Sequence, residues 1–121
     1  MRKRTHRFQR GDVVIVPVVF ATPPGSKVRP ALVISSNAYH KAQPANVLII
    51  AISGNVAGHQ TATDCTLKDW QAAGLRRPSV VTLFITTVAP PDIRYTIGRL
   101  SANDLMGVEE RLRLSLDLPS E

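Results

Sequence analysis

Proline and glycine interrupt this chain so often that no long helix fits before Ser101. Eight of the nine prolines fall in the first hundred residues. Proline breaks helix interiors and removes a donor from a sheet ladder, so the runs between these breaks must be short strands and turns. Those runs are rich in β-branched residues. GDVVIVPVVF reads as a strand entered through Gly11 and Asp12, with Pro17 making it an edge strand or one with a bulge. PALVISS reads as a second strand, and NVLIIAIS (Asn46 to Ser53) as a third whose unbroken apolar run predicts burial on both faces.

The stretches between are punctuated in the same way. ATPPGSK and GNVAGHQ are loops, and Asn37 to Gln43 is a helical turn or a short loop. Thr61 to Leu67 predicts a short strand. TLKDWQAAG predicts a helix of one or two turns, with Thr66 as N-cap, Asp69 three residues on and Gly74 as its stop. PSVVTLFIT and IRYTIGRL are further strands, the latter alternating Ile93, Tyr95 and Ile97 against Arg94, Thr96 and Gly98. Only after Ser101 does helical periodicity persist. Ser101 and Asp104 form a capping-box pattern, Leu105, Val108, Leu112 and Leu116 share one face, and Glu109 and Arg113 lie four apart on the solvent side. The expected fold class is therefore mainly β with added helices: a small twisted β-barrel with helices packed outside, the last of them C-terminal. It forms one domain over residues 11–121, preceded by a solvated basic arm over 1–10.

Charge is unevenly spread. Thirteen Lys/Arg face four Asp/Glu before Ser101, whereas five acids face two arginines from there on, for a net +6. Such a body attracts polyanions, most simply nucleic acid. Cys65 is the single cysteine, which excludes an internal disulfide and suits a reducing compartment. The basic N-terminus leads into no export signal, and the apolar run after it is too short to span a bilayer, so a soluble, cytoplasmic protein is expected. His6, His40, His59 and Cys65 are scattered, with no pair at ligand spacing. No metal and no cofactor are expected. Neither a nucleophile elbow nor a phosphate-cradling Gly-rich loop with its lysine occurs.

The stretch GSKVRPALVISS stands out. Gly25 and Ser26 form a turn whose backbone N–H groups can hold an anion. Pro30 biases Arg29 towards an extended backbone, and its guanidinium can grip two phosphate oxygens while staying charged. Lys27 lies on the same loop. Ser53 ends the third strand, and if that strand pairs beside the second it comes near Arg29. On spacing alone, Ser53 reads first as a serine satisfying a strand-end backbone group and His59 first as a solvated loop histidine, while Arg29 reads also as a surface cation.

RGDVVIVPVVF, GSKVRPALVISSNAYH, VLIIAIS, DWQAAGLRRPSVV and IGRLSANDL resemble the MazF/PemK toxin family in order and spacing, over Arg10 to Leu118. The resemblance implies an SH3-like barrel of the type shared with CcdB toxins. It also implies a metal-independent endoribonuclease that cuts single-stranded RNA, usually mRNA, by attack of the 2′-hydroxyl on the adjacent phosphate, and a homodimer checked by a cognate antitoxin. Arg29 matches the family's catalytic arginine. Ser53 matches a position where the family usually carries threonine, keeping the hydroxyl and losing the methyl that restricts its rotamer. Lys27, Ser26, Gly25, His59 and Gln60 would then contact substrate, with the loops Ala21 to Val28 and Gly54 to Gln60 flanking the scissile step. His59 is the remote candidate for general base, and Phe20, Tyr39 and Trp70 are the candidate stacking aromatics, each also a candidate for the core. Two alternatives remain at this point: a CcdB-like toxin acting through its C-terminal helix on a protein such as a topoisomerase, and a non-catalytic RNA-binding barrel.

Overall fold

A computed structural model of the chain describes residues 7–20 and 25–120, except the side chains of residues 19, 20 and 26. Among these residues lie the strands β1 (Asp12–Phe20), β2 (Gly25–Val33), β3 (Val47–Ser53), β4 (Cys65–Thr66), β5 (Val80–Val88) and β6 (Tyr95–Arg99). They form one antiparallel sheet in the order β4-β5-β3-β2-β1-β6. The helices are α1 (Asn37–Ala42) and α2 (Ala102–Leu116), with a 3-10 turn at Pro90–Asp92. The expected class, mainly β with a C-terminal helix, is what the chain adopts. No helix is long and apolar enough to cross a membrane among the described residues.

Alternation along the strands divides the apolar side chains between two buried clusters. Val13, Leu32, Ile50 and Ile52 point to one side, where Cys65, Leu75, Leu100 and Val108 of α2 join them. Val14, Val16, Ala31, Val33 and Ile49 point to the other, closed by Phe8 and Ile93. The two-sided burial expected for β3 is thus realised. Leu105 and Leu112 of α2 pack on the first cluster, but Leu116, expected on the same face, is exposed at the helix's last residue.

Both strand prolines sit where a neighbouring strand stops pairing. β6 pairs with β1 only as far as Ile15, so β1 is an edge on that side at Pro17. β3 pairs with β2 only from Ala31, the residue after Pro30. β2 itself begins at Gly25, so Arg29 lies within a strand, opposite Val16, and not ahead of one.

Several expectations need correction. The solvated arm over 1–10 does not extend to its last residues: Phe8 is 5% exposed in the core, and Arg10 Nε donates to Ile34 O at 2.7 Å. Glu109 pairs with Arg10 at 3.5 Å and not with Arg113, since the N-terminal segment passes closer to it. The strand expected over 61–67 shrinks to Cys65–Thr66, because Asp64 turns the chain back on Thr61. The helix expected over Thr66–Gly74 is a run of turns, with Ala73 N bonded to Asp69 O and Leu75 N to Trp70 O. Thr66 belongs to β4. The N–H groups of Lys68 and Asp69 are satisfied by the buried carboxylate of Asp104, at 3.0 and 2.8 Å. Ser101 Oγ accepts from Asp104 N as the cap pattern predicts.

The turn at 70–75 closes the sheet upon itself. Gly74 has φ +90°, and a Cβ on it would lie 2.2 Å from Ile97 O. A Cβ on Gly98 would lie 2.2 Å from Ala73 O. Two backbones therefore touch directly, and no side chain fits between them. A Gly98→Ala variant should lose about 3 kcal/mol or more through backbone displacement. A urea melt monitored by far-UV circular dichroism should show its midpoint well below that of the wild type.

Candidate functional site

The end of the β2–β3 pairing opens a cleft of ≈ 560 Å³. Beyond Ala31↔Ala51 the strands separate, and continuing their register by two residues sets Arg29 opposite Ser53. Both line the cleft. Its other walls are Ile15, Tyr95 and Ile97 from β1 and β6, and the segment Gly74–Arg77 with Ser79. Closure of the 70–75 turn onto β6 thus brings Arg76 and Arg77 to face β2 across the end of β3.

Ser53 Oγ accepts from Asn55 N at 3.1 Å. This is the strand-end role that spacing alone suggests, and it coexists with cleft exposure. Accepting an N–H uses an oxygen lone pair and leaves the hydroxyl hydrogen free to donate. Arg29, Arg76 and Arg77 are exposed and have no carboxylate partner among the described residues. No Asp or Glu lines the cleft among these residues. Unpaired guanidinium groups against apolar walls form a ready anion site.

The remaining sequence candidates are spread more widely. Lys27 is exposed on β2, two residues from Arg29 and hence on the same strand face. Gly25 opens β2 with φ +153° and has nothing near its Cβ position. The side chain of Ser26 and the segment 21–24 lie outside the described residues, as does the side chain of Phe20. His59 and Gln60 do not line the cleft. Gln60 Nε2 instead donates to Val56 O and Thr66 Oγ1, fastening the 54–64 loop to β4. At the end of that loop, the Thr61 N–H and then its hydroxyl hold the Asp64 carboxyl below its usual value, with a smaller pull from His59. Burial pushes the Cys65 thiol up, as befits an inert core cysteine. Trp70 packs on the core, and Tyr39 lies in a separate groove beside Ile85 and Leu116.

Arg76, Arg77 and Tyr95 are the cleft residues that the sequence reading does not single out. A signal for the arginines is present, because Arg77-Pro78 precedes β5 as Arg29-Pro30 precedes the β3-paired part of β2. Tyr95 is 60% exposed, an aromatic that the alternating pattern groups with two core isoleucines. Among the described residues no group of His, Cys, Asp and Glu is arranged to hold a metal ion.

A family profile described as "PemK-like, MazF-like toxin of type II toxin-antitoxin system" matches residues 9–116. No curated protein sequence matches the chain. Among solved structures, an endoribonuclease in complex with its cognate antitoxin, from a Mycobacterial species, is 17% identical with TM-score 0.74, covering 94% of this chain and 99% of that one. The Mycobacterium tuberculosis toxin MazF-mt6 is 24% identical with TM-score 0.67, covering 88% and 99%. A MazE-MazF structure from Deinococcus radiodurans is 18% identical with TM-score 0.72, covering 93% and 98%. At these identities the structures show a shared fold.

The wall carrying Arg76 and Arg77 hangs from α2 through Asp104. Removing a buried carboxylate that accepts two backbone N–H bonds strands both donors. Asp104→Ala should therefore cost about 3 kcal/mol. Amide hydrogen exchange should rise first at Lys68 and Asp69; unchanged protection there would show that other groups hold the segment.

Proposed function

The chain belongs to the PemK-like, MazF-like toxins of type II toxin-antitoxin systems, and on that premise we propose that it is a metal-independent endoribonuclease cleaving single-stranded RNA at a short specific sequence. The observation that carries this reading is the cleft in which Arg29 and Ser53 stand opposite each other, with Arg76 and Arg77 alongside and no carboxylate in its lining. Within it the scissile phosphate sits between Arg29 and Ser53. The ribose 2′-oxygen attacks phosphorus and gives up its proton, and the bond from phosphorus to the 5′-oxygen breaks. The products are a 2′,3′-cyclic phosphate and a 5′-hydroxyl.

The described lining holds neither imidazole nor carboxylate, so the reading sends the 2′ proton to solvent. Acceleration then comes from charge stabilisation: Arg29 neutralises the phosphorane oxygens, and the Ser53 hydroxyl donates to a non-bridging oxygen. The departing 5′-oxygen takes up a proton from solvent, with Arg29 hydrogen-bonding to it as its charge builds. Tyr95 offers the exposed ring on which a splayed base can stack. Lys27 extends the positive surface along the strand. By the same premise the chain acts as a homodimer, and a cognate antitoxin occupies the cleft.

Incubation of the purified protein with long single-stranded RNA in EDTA tests this. Discrete fragments ending in cyclic phosphate are expected. Arg29→Ala should abolish them, Ser53→Ala should slow them by about 10²–10³, and Ser53→Thr should retain activity. RNA left intact across varied sequences would overturn the nuclease reading. Toxicity surviving Arg29→Ala would redirect attention to a protein target.

A further inference from the structure

Arg77 is held by contacts of its side chain and of its backbone, and nothing in the cleavage step above uses it. Its side chain lies across the backbone of Gly54: a Cβ on Gly54 would be 2.7 Å from Arg77 Cδ and 3.5 Å from Nε. Its carbonyl accepts from the hydroxyl of the buried Ser79 at 2.9 Å. Pro78 follows and restricts its backbone. Gly54 has no left-handed backbone angle, so what its missing side chain provides is room for Arg77. The chain thus reserves a place for this guanidinium directly after Ser53.

The sheet order fixes where that place is. Ser53 pairs with Val80 on β5, while Arg29 lies on its other side, on β2. Arg29 and Arg77 therefore flank the end of β3 from opposite sides, Arg77 three residues ahead of Val80 with its side chain lying back across Gly54. We propose that Arg77 grips the phosphate adjacent to the scissile one, so that the RNA backbone crosses the end of β3 from Arg29 to Arg77, and that Gly54 is the positioning residue that makes this possible. The proposal rests on the ribonuclease reading for what occupies the cleft. Arg76, which lines the same wall, contributes to the general field.

A grip on a flanking phosphate is made equally in ground and transition states, so its loss appears in KM, whereas loss of Arg29 appears in kcat. With an oligonucleotide spanning the mapped cut site, Arg77→Ala should raise KM about tenfold to a hundredfold, the value of a charge-assisted hydrogen bond. Arg77→Lys should recover part of it. Gly54→Ala should act in the same direction, and it should add little once Arg77 is already alanine. A neutral methylphosphonate at the adjacent phosphate should weaken wild type and leave Arg77→Ala nearly unaffected; the same substitution at the farther phosphates should cost both proteins alike.

Binding separates failure of this inference from failure of the nuclease reading. With a substrate carrying 2′-deoxyribose at the cut site, or with long RNA if none is cut, the slope of log K against log salt should fall by about 0.7 in Arg77→Ala, the contribution of one single-strand phosphate. An unchanged slope overturns the proposal, whether or not the wild type cleaves. Cleavage by wild type with unaltered KM in both Arg77→Ala and Gly54→Ala overturns it too and leaves the nuclease reading standing. A kcat loss in Arg77→Ala with the methylphosphonate felt equally by both proteins would move Arg77 to the scissile phosphate and also overturn the assignment.

Discussion

The cleft depends on a contact between two backbones. Where Ala73–Gly74 lies against Ile97–Gly98, the carbonyls come within 2.2 Å of positions that a Cβ would occupy. That approach folds the segment before β5 back onto β6, the far edge of the sheet. Closed in this way, the sheet gains a wall in which Gly74 and Leu75 stand beside Tyr95 and Ile97, and the cleft between that wall and β2 holds Arg29, Arg76 and Arg77. The contact involves no side chain at all, so it is rigid in the way peptide groups are and leaves the side chains nearby free for other duties.

Two groups of arginines differ in what they find on folding. Arg99 meets the buried Asp12 carboxylate at 2.7 Å and also donates to Arg10 O, locking β1 to β6. Arg10 spans from Ile34 O to Glu109, and Arg111 reaches Asp64 O from α2. These are fasteners whose charge is spent within the fold. Arg29, Arg76 and Arg77 meet no acid among the described residues, and all three open on one cleft. The cleft therefore holds three positive charges that an anion can reach, and low-dielectric walls sharpen their field.

How far this was legible in the sequence follows from the range of the interactions. The β-branched runs gave the strands because their signal is local, and two-sided burial of β3 followed from its unbroken apolar composition. The Thr66-to-Gly74 stretch misled because a local capping pattern competed with a distant carboxylate: Asp104, in another element, satisfies the donors that a helix start would have left open. That Arg29 and Ser53 line one cleft follows from a strand-pairing argument that the register supports. The packing of Arg77 on Gly54 is not legible in the sequence, because Gly54 makes itself felt only as an absence of side chain once the fold has formed. Gln60 shows the opposite case, a polar loop residue beside the expected site that is occupied in fastening its own loop.

A gap between two strands is also an invitation. Separated edges present unpaired N–H and C=O groups, and another extended chain can add itself there. Here the gap opens at Pro30, which brings no N–H, and β1 carries Pro17 where β6 has stopped pairing. Each proline removes one donor from the edge it occupies, so a ladder added there would be broken at its start. An entering chain is then held largely by side chains, and a polyanion with no peptide donors of its own suits such a slot well, as would a peptide presenting acidic side chains.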